Sequence, residues 1–408
     1  MTESNGSVTT ATTATTRPGP EARDEIFVSP TGSDDATGSR KDPLDSIQDA
    51  FDVATPGDTI TALPGEYTET VTTVRSGEPD APITLTGPPD AVFRGSPKID
   101  DPFVWGGLNI WHSHIHVRGL TFDGLADPAN PDEMSSYVRS VIGARHVAYS
   151  PDHYHRNLVI KPHAVGNSSR ALIQVSRVED AEIGEFEVFG PAGMAMLKFG
   201  DKHHNGEVVY IGTAPTTLGK EQQMRQLPKI AHEPDTSSGV HVHHIDNSAG
   251  HPNAEFIDAK PGTSNVTIEY CTSSGSSHPT MRHGIGFRSA IRLAARDSVV
   301  RWCDISNNSG HGIGIAPVYS RFEDFSGEED LPEEYFDAST GNAVYGNELT
   351  DNEESAIAVM PDTGLEAQDV ICGNDYTGKT AGEPATSCPD RIPSGDGVGH
   401  LGGDSPWN

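Results

Sequence analysis

The sequence lacks the features that mark a membrane protein or a cysteine-based zinc protein. No apolar run approaches the roughly 20 residues that a membrane-spanning helix needs. The 4 cysteines include no Cys-x-x-Cys pair, so no zinc site built on cysteine is indicated. Cys271 and Cys303 occupy equivalent places in two similar segments, which indicates stacked apolar residues. Cys372 and Cys388 flank a loop near the carboxyl end, and the spacing leaves open whether they form a disulfide.

Positive charge is also scarce. Lysine and arginine together number 28 against 59 aspartates and glutamates, a formal net charge of −31. Such a composition is typical of haloarchaeal-type, salt-adapted proteins, whose self-repulsion is screened by salt. It disfavours nucleic acid and anionic membranes as partners. Each cation near a candidate site is therefore a feature that needs an explanation.

The chain is poor in apolar residues and rich in turn residues. Only 34% of its 408 residues are apolar, and 43 glycines and 30 prolines are spread along it. This suits many short strands joined by tight turns better than one large globular core. We predict an all-β fold, a right-handed parallel β-helix, as a single domain over residues 25–388. Residues 1–24 are expected to be a disordered Thr-rich tail without signal-peptide character, and residues 389–408 a flexible tail.

A short amphipathic helix is predicted near the start of this domain. Asp45 or Ser46 can cap it, Phe51 lies on its apolar face, and the turn at residues 56–58 ends it before a strand. The segment resembles the amino-terminal cap of extracellular β-helix proteins, many of which are polysaccharide lyases. A solenoid needs such a cap because its first rung otherwise exposes an apolar floor.

In the carboxyl-terminal half, pairs of short alternating segments recur, and each pair is interpreted as one rung. Superposing the second segments of the pairs aligns two inward-facing apolar columns: Ile257, Ile291, Ile313 and Ile357, and Ala259, Leu293, Ile315 and Val359. Alternation then turns Asp258, Lys260 and Arg292 toward solvent. The same alignment places Asp258 under Arg292, and Glu255 under His311.

The most informative segment runs from His251 to Lys260 and is followed by Arg282-His283-Gly284. It resembles the β-helix family of chondroitinase B and the alginate lyases, and its Glu-to-Lys spacing also resembles the calcium-dependent pectate lyases. The resemblance implies the following roles: Lys260 as the base, Arg282 as acid or charge stabiliser, His283 as acid or substrate contact, and Glu255, Asn253 and Asp258 as Ca²⁺ ligands. A further ligand stays open among Asn247, Asp246 and Asn205.

The chemistry of uronate cleavage is consistent with this pattern. A lyase removes the C5 proton of a uronic acid, which is weakly acidic until the sugar carboxylate is neutralised, and Ca²⁺ held by oxygen ligands does that. A nearby Ca²⁺ and arginine are expected to lower the pKa of Lys260 and free its amine. The residues expected to hold the substrate are Arg292, His311, His204 and Arg288.

Simpler interpretations compete with this one. Lys260 can be a solvated surface lysine, and Asp258 with Arg292 an ordinary cross-rung ion pair contributing about 0.2 to 1 kcal/mol. Gly310-His311-Gly312 resembles the polygalacturonase-type hydrolases, but the paired aspartates that hydrolysis needs are absent upstream. Along one strand His241 and His243 share a face that His244 does not, which suits either a metal pair or a stacked polar edge.

The sequence therefore predicts a Ca²⁺-assisted polysaccharide lyase that acts on an acidic, uronate-containing polysaccharide. The expected protein is a monomer at the cell surface or outside the cell. One alternative is a β-helix protein that binds carbohydrate, or forms a surface structure, without catalysis. Another is a β-helix glycoside hydrolase or uronate epimerase.

Overall fold

The computed structural model describes residues 25–96, 106–145, 154–199, 206–214, 235–276, 288–315, 339–359, 368–378, 380 and 388, with the backbone of residues 391–392 and 400–401. It confirms a right-handed parallel β-helix. All pairings among its first 28 strands are parallel, in three columns that we call sheets 1, 2 and 3. Among the described helices, none is long and apolar enough to cross a membrane.

Each sheet takes one strand from each successive turn of the solenoid. Sheet 1 contains β1 (Glu25–Val28), β2 (Thr59–Ala62), β5 (Ile83–Thr86), β8 (Ile115–Arg118), β11 (His155–Lys161), β14 (Val178–Val188), β16 (Ser238–Asn247), β18 (Thr267–Glu269), β21 (Val299–Arg301), β24 (Ala343–Tyr345) and β27 (Val370–Cys372). Sheet 2 contains β3 (Gly65–Tyr67), β6 (Ala91–Phe93), β9 (Thr121–Asp123), β12 (Ala164–Gly166), the carboxyl ends of β14 and β16, β19 (Thr272–Ser274), β22 (Asp304–Ser306), β25 (Glu348–Thr350) and β28 (Asp375–Tyr376). Sheet 3 contains β4 (Val71–Thr72), β7 (Gly106–Ile110), β10 (Ser140–Arg145), β13 (Ile173–Ser176), β15 (Val209–Ile211), β17 (Ile257–Ala259), β20 (Ser289–Leu293), β23 (His311–Ile315) and β26 (Ile357–Val359).

The remaining elements are short. They are α1 (Ile47–Val53), a 3₁₀ turn (Met134–Ser136), α2 (Met194–Leu197) and an antiparallel pair within the predicted tail, β29 (Arg391–Ile392) and β30 (His400–Leu401). Helix α1 begins as predicted, because the Ser46 side chain accepts a hydrogen bond from the Asp49 amide. It buries Phe51 and packs against β1 and β2, so it covers the first rung.

The core is a column of apolar side chains inside the coil. The predicted registers are confirmed on sheet 3, where Ile257 pairs with Ile291, and Ile291 with Ile313. These side chains are fully buried, as are Ala259, Leu293 and Ile315 of the neighbouring column, whereas its last member, Val359, is half-buried. Because every rung repeats the same alternation, the outward residues of sheet 3 are also stacked in register.

The corner between sheets 1 and 2 needs a left-handed backbone. Tyr270, Trp302 and Gly346 follow one another there on successive rungs with φ of 52°, 53° and 65°. The Tyr270 and Trp302 rings lie 4.9 Å apart between centroids. A Cβ on Gly346 would come within 2.8 Å of the Trp302 ring, so the indole occupies the space that glycine leaves.

Both sets of cysteines have the arrangement that the sequence allowed. Cys271 and Cys303 are buried free thiols in neighbouring rungs. Cys372 and Cys388 form a disulfide across a separation of 16 residues. The bond ties the segment after β28 back to β27, at the carboxyl end of the described coil.

Candidate functional site

The candidate site lies on the outer surface of sheet 3, where β15, β17 and β20 follow one another. Ile257 and Ala259 point into the coil, so Asp258 and Lys260 project from the opposite side. One rung later Arg292 is in register with Asp258, as predicted. The strand pattern thus brings one acidic and two basic side chains together on one surface.

The expectation that these residues face solvent is wrong. Asp258 is fully buried, and Lys260 and Arg292 are each only 6% exposed. Alternation shows that a side chain leaves the coil, but not whether its neighbours cover it. Here they do, because Lys260 lies over the Tyr210 ring, with Nζ 4.3 Å from its centroid.

The two cations are held by carboxylates. Lys260 forms an ion pair with Asp258, and its Nζ lies 3.6 Å from Glu207 Oε1. Arg292 Nη1 lies 3.5 Å from Asp258 Oδ2 and 3.9 Å from Glu255 Oε1. Asp258 therefore links both cations, as a central acceptor.

Three carboxylates form the other half of the cluster. Glu207, Glu255 and Asp258 each offer one oxygen, and these oxygens all lie within 4.8 Å of one another. Burial raises the pKa of Glu255 to about 8, and repulsion from Asp258 and Glu207 adds to that shift. Burial likewise raises the pKa of Glu207. When all three carboxylates are ionised, their negative charge exceeds the positive charge of Lys260 and Arg292.

The arrangement of oxygens fits a Ca²⁺ ion. Glu207 Oε1, Glu255 Oε2 and Asp258 Oδ1 have no hydrogen-bond partner within the described part of the chain, and neither does Asn253 Oδ1. A buried oxygen without a hydrogen-bond donor costs free energy unless a cation or a water molecule binds it. Hard oxygen ligands at this density are what Ca²⁺ prefers. Glu255, Asn253 and Asp258 are thus retained as candidate ligands.

Glu207 is the residue that the sequence prediction missed. It stands two residues before Val209, just as Glu255 stands two before Ile257, and Val209 pairs with Ile257. This shared offset was the available signal. The alternative ligands on β16 are engaged elsewhere, since Asn247 hydrogen-bonds His251 and Ser273.

Asp246, the other alternative on β16, is exposed and accepts a hydrogen bond from the Ser248 amide.

The pKa of Lys260 depends on the charged groups around it. Burial opposes the charged form, but Asp258, Tyr210 and Glu207 outweigh burial and Arg292 and hold the pKa of Lys260 above its ordinary value. The predicted lowering depends on a bound Ca²⁺ and stays a prediction, since the protein groups alone raise this pKa. The expectation had counted the arginine but not two carboxylates on the same surface.

Two other predicted contacts form a separate group. Arg288 Nη2 lies 2.6 Å from Glu354 Oε1, and His311 Nε2 lies 3.0 Å from Glu354 Oε2. Glu255 is not directly under His311, because Ser289 pairs with His311 and occupies the rung between them. His311 is thus two rungs from Glu255. Three predicted site residues lie outside the described residues: Arg282, His283 and His204. The alternative ligand Asn205 lies there too.

Comparison with known proteins agrees with this fold. Residues 26–145 match the family model described as the Pel9A-like right-handed β-helix region. Pectate lyase PEL9 of Emericella nidulans is 49% identical over 63 residues, which is 15% of each chain. The uncharacterized protein YwoF of Bacillus subtilis is 28% identical over 134 residues, 32% of this chain and 28% of that one. These matches thus span well under a third of either relative.

Solved structures extend the likeness to the whole coil. An alginate lyase from Paenibacillus sp. str. FPU-7 superposes with a TM-score of 0.55 at 15% identity, covering 84% of this chain and 96% of the other. Pectate lyase Pel9A superposes with a TM-score of 0.53 at 14% identity, covering 95% and 87%. At such identities the likeness is one of fold. The chain thus has the parallel β-helix fold of these lyases, with a Pel9A-like β-helix region at residues 26–145.

Proposed function

We propose that the chain is a polysaccharide lyase that cleaves a uronate-containing polysaccharide by β-elimination, with Lys260 as base and Ca²⁺ as cofactor. The observation that carries the proposal is a buried lysine set among three carboxylates whose free oxygens suit a divalent cation. β-Elimination needs a base at C5 of the uronate and a positive charge beside the carboxylate attached to that carbon. This cluster supports the presence of the base and of the positive charge at one place. We further propose that the protein is a monomer that acts outside the cell or at its surface.

Glu207, Glu255 and Asp258, with the free oxygen of Asn253, are the residues that would hold the ion. When bound, Ca²⁺ supplies the charge that neutralises the uronate carboxylate and makes the C5 proton removable. The carboxylates themselves are acceptors only. They do not bind an acidic sugar unaided, because like charges repel.

Lys260 takes the proton in this proposal. Its amine must be neutral, and Asp258 and Glu207 now favour the charged form. Once those carboxylates are engaged by another cation, their hold weakens, and burial with Arg292 favours the neutral amine. Arg292 is placed to contact the substrate carboxylate and the negative charge that develops as the proton leaves.

The remaining assignments rest on the sequence motif. We propose Arg282 as the acid or charge stabiliser, and His283 as a contact to the sugar carboxylate. Arg288 and His311 can hold substrate only by exchanging their shared partner Glu354 for it. His204 is proposed as a further contact from its place one rung before the motif.

A second function is favoured by one observation. The raised pKa and the burial of Lys260 are also what a purely structural ion pair shows. A β-helix that binds acidic carbohydrate without cleaving it fits that reading. A hydrolase or an epimerase is separated from a lyase by its products, because only a lyase leaves an unsaturated uronate.

The test is the ultraviolet absorbance of the unsaturated uronate. The protein is incubated in high salt with Ca²⁺ and a panel of alginate, pectate, chondroitin, hyaluronan and ulvan. We expect product from at least one polymer, and none when a chelator replaces Ca²⁺. A flat signal across the panel, with retained binding to one of the polymers, would favour the non-catalytic function.

Two variants separate the base from the ion pair. Lys260→Arg keeps a cation beside Asp258 but offers no amine that deprotonates, so we expect folding to be preserved and turnover to be lost. Lys41→Ala, at an exposed lysine of the cap region, is the matched control with unchanged activity. Full turnover in Lys260→Arg would show that this lysine is not the base.

A further inference from the structure

A second cluster of metal-ligating side chains lies on sheet 1, apart from the Lys260 site on sheet 3. His241 and His243 stand two residues apart on β16 and therefore share its outward face. Glu182 on β14, one rung before, is in register with His241, and Glu269 on β18, one rung after, is in register with His243. Three successive rungs thus bring two imidazoles between two carboxylates.

The distances are those of ligands around one ion. Glu182, His241 and His243 offer ligand atoms that all lie within 4.8 Å of one another. His243 Nε2 is 3.1 Å from Glu182 Oε1, and His241 Nε2 is 2.8 Å from Glu269 Oε1. Neighbouring ligands of a tetrahedral ion with bonds of about 2.0 to 2.1 Å lie about 3.3 Å apart. An ion placed between these atoms replaces the hydrogen bond from His243 to Glu182 and the contact of Lys161 with the same oxygen.

His244 supplies the outer contact that metal-binding histidines usually have. Its Nδ1 lies 2.9 Å from His243 Nδ1, so one of these nitrogens donates to the other. In the contact with Glu182, His243 Nε2 is the donor, because a carboxylate only accepts. An ion that binds Nε2 replaces this proton, and His243 then donates from Nδ1 to His244. A histidine that binds metal through one nitrogen and donates from the other has its ring orientation fixed in this way.

We propose that Glu182, His241 and His243 form a binding site for a divalent transition metal of the Zn²⁺ type. Glu269 bonds His241 from the following rung and lies outside this group of three. Imidazole suits Zn²⁺ and its neighbours, whereas Ca²⁺ prefers oxygen ligands alone. Because these three ligands come from β14 and β16, the ion joins two rungs of the coil.

The charges around the cluster permit this binding. Lys161 Nζ lies 2.6 Å from Glu182 and 2.8 Å from Glu185, so it keeps Glu185 as a partner when Glu182 turns to the ion. Arg301 holds Glu269 at 2.6 Å from its other side. The side chains of His241 and Glu182 are 40% and 36% exposed, which leaves the ion a route from solvent.

The test is Zn²⁺ binding by the full chain, prepared without a histidine tag and stripped of metal. Isothermal titration with Zn²⁺ alone is expected to show one tight site that excess Ca²⁺ does not displace. Removing either imidazole, in His241→Gln or His243→Gln, should weaken it by roughly 100-fold or more, since loss of an outer contact alone costs 10 to 100-fold. Co²⁺ bound at the same site should give visible absorption bands that both variants lose.

Two control variants distinguish this site from others. His163→Gln removes an exposed histidine that is not one of the proposed ligands, and Glu255→Gln alters the candidate Ca²⁺ site. Both variants should bind Zn²⁺ like the parent chain. Circular dichroism confirms that each variant is folded. Zn²⁺ binding that survives in both His241→Gln and His243→Gln, or no tight binding by the parent chain, would overturn the proposal.

Discussion

Replacing Glu207 by glutamine tests the candidate Ca²⁺ site at the residue that sequence motifs did not indicate. The change keeps the shape of the side chain, whose Oε2 accepts a hydrogen bond from the Gly206 amide at 2.8 Å. It removes one of three clustered carboxylates. We expect the variant to fold without Ca²⁺ as well as the parent does, because removing one of the three carboxylates reduces the repulsion among them.

The expected loss of Ca²⁺ stabilisation can be worked out. At a free concentration about 100 times its dissociation constant, one bound ion stabilises the fold by about 2.7 kcal/mol. Losing a direct ligand should weaken binding by roughly 100-fold, at least as much as losing an outer contact. The variant then gains only about 0.4 kcal/mol at the same concentration. At about 2 °C per kcal/mol for a long domain, the unfolding midpoint rises by about 5 °C in the parent and about 1 °C in the variant.

The assay is thermal unfolding followed by circular dichroism, in high salt, with Ca²⁺ and with Mg²⁺ at equal concentration. Glu354→Gln is the matched control, because that carboxylate lies just before β26 of the same sheet but bonds Arg288 and His311. It should retain the full Ca²⁺ effect. A Ca²⁺ shift of equal size in Glu207→Gln would show that the three carboxylates do not bind the ion.

Three further predictions concern the scaffold. Glu69 accepts hydrogen bonds from the Ile47 and Gln48 amides of α1, and burial raises its pKa. A raised pKa means that its contribution to stability is present at low pH and lost as the pH rises. Glu69→Gln should therefore remove this fall in stability with rising pH from the denaturation profile. Cys388→Ser should loosen the carboxyl-terminal rungs by about 3 kcal/mol, from the loop entropy released, as hydrogen exchange can measure. Gly346→Ala should destabilise by about 1 to 2 kcal/mol in urea unfolding, because φ is 65° and the new Cβ meets Trp302.

The fold could be predicted because a solenoid repeats one local rule. Alternation along short segments gave the inward column from Ile257 to Ile357, and each of its pairings is observed. The helix start at Ser46 follows from side-chain capping, which is equally local. Such features depend on neighbours along the chain or one rung away, so a sequence pattern contains them.

The site could be predicted only in part because it depends on contacts between rungs. The motif located Asp258 and Lys260, the alignment of successive rungs located Arg292, and their proximity is observed. Their burial was not foreseen, since the covering groups include Tyr210 and Glu207 from the preceding rung. The same two residues contribute to the raised pKa of Lys260, so its value in the absence of Ca²⁺ could not be predicted from the motif. A register extended by one more rung would have supplied both residues.

The charge of the cluster bears on how an acidic chain can bind an acidic polymer. With a net charge of −31, the protein repels a polyuronate at long range, but at about 1 M salt the screening length is only about 3 Å. Contacts inside the site then decide binding. Glu207, Glu255 and Asp258, when ionised, exceed Lys260 and Arg292 by one negative charge. A divalent cation held by these carboxylates would reverse that sign, so under the proposed function the site would attract a uronate only once Ca²⁺ is bound.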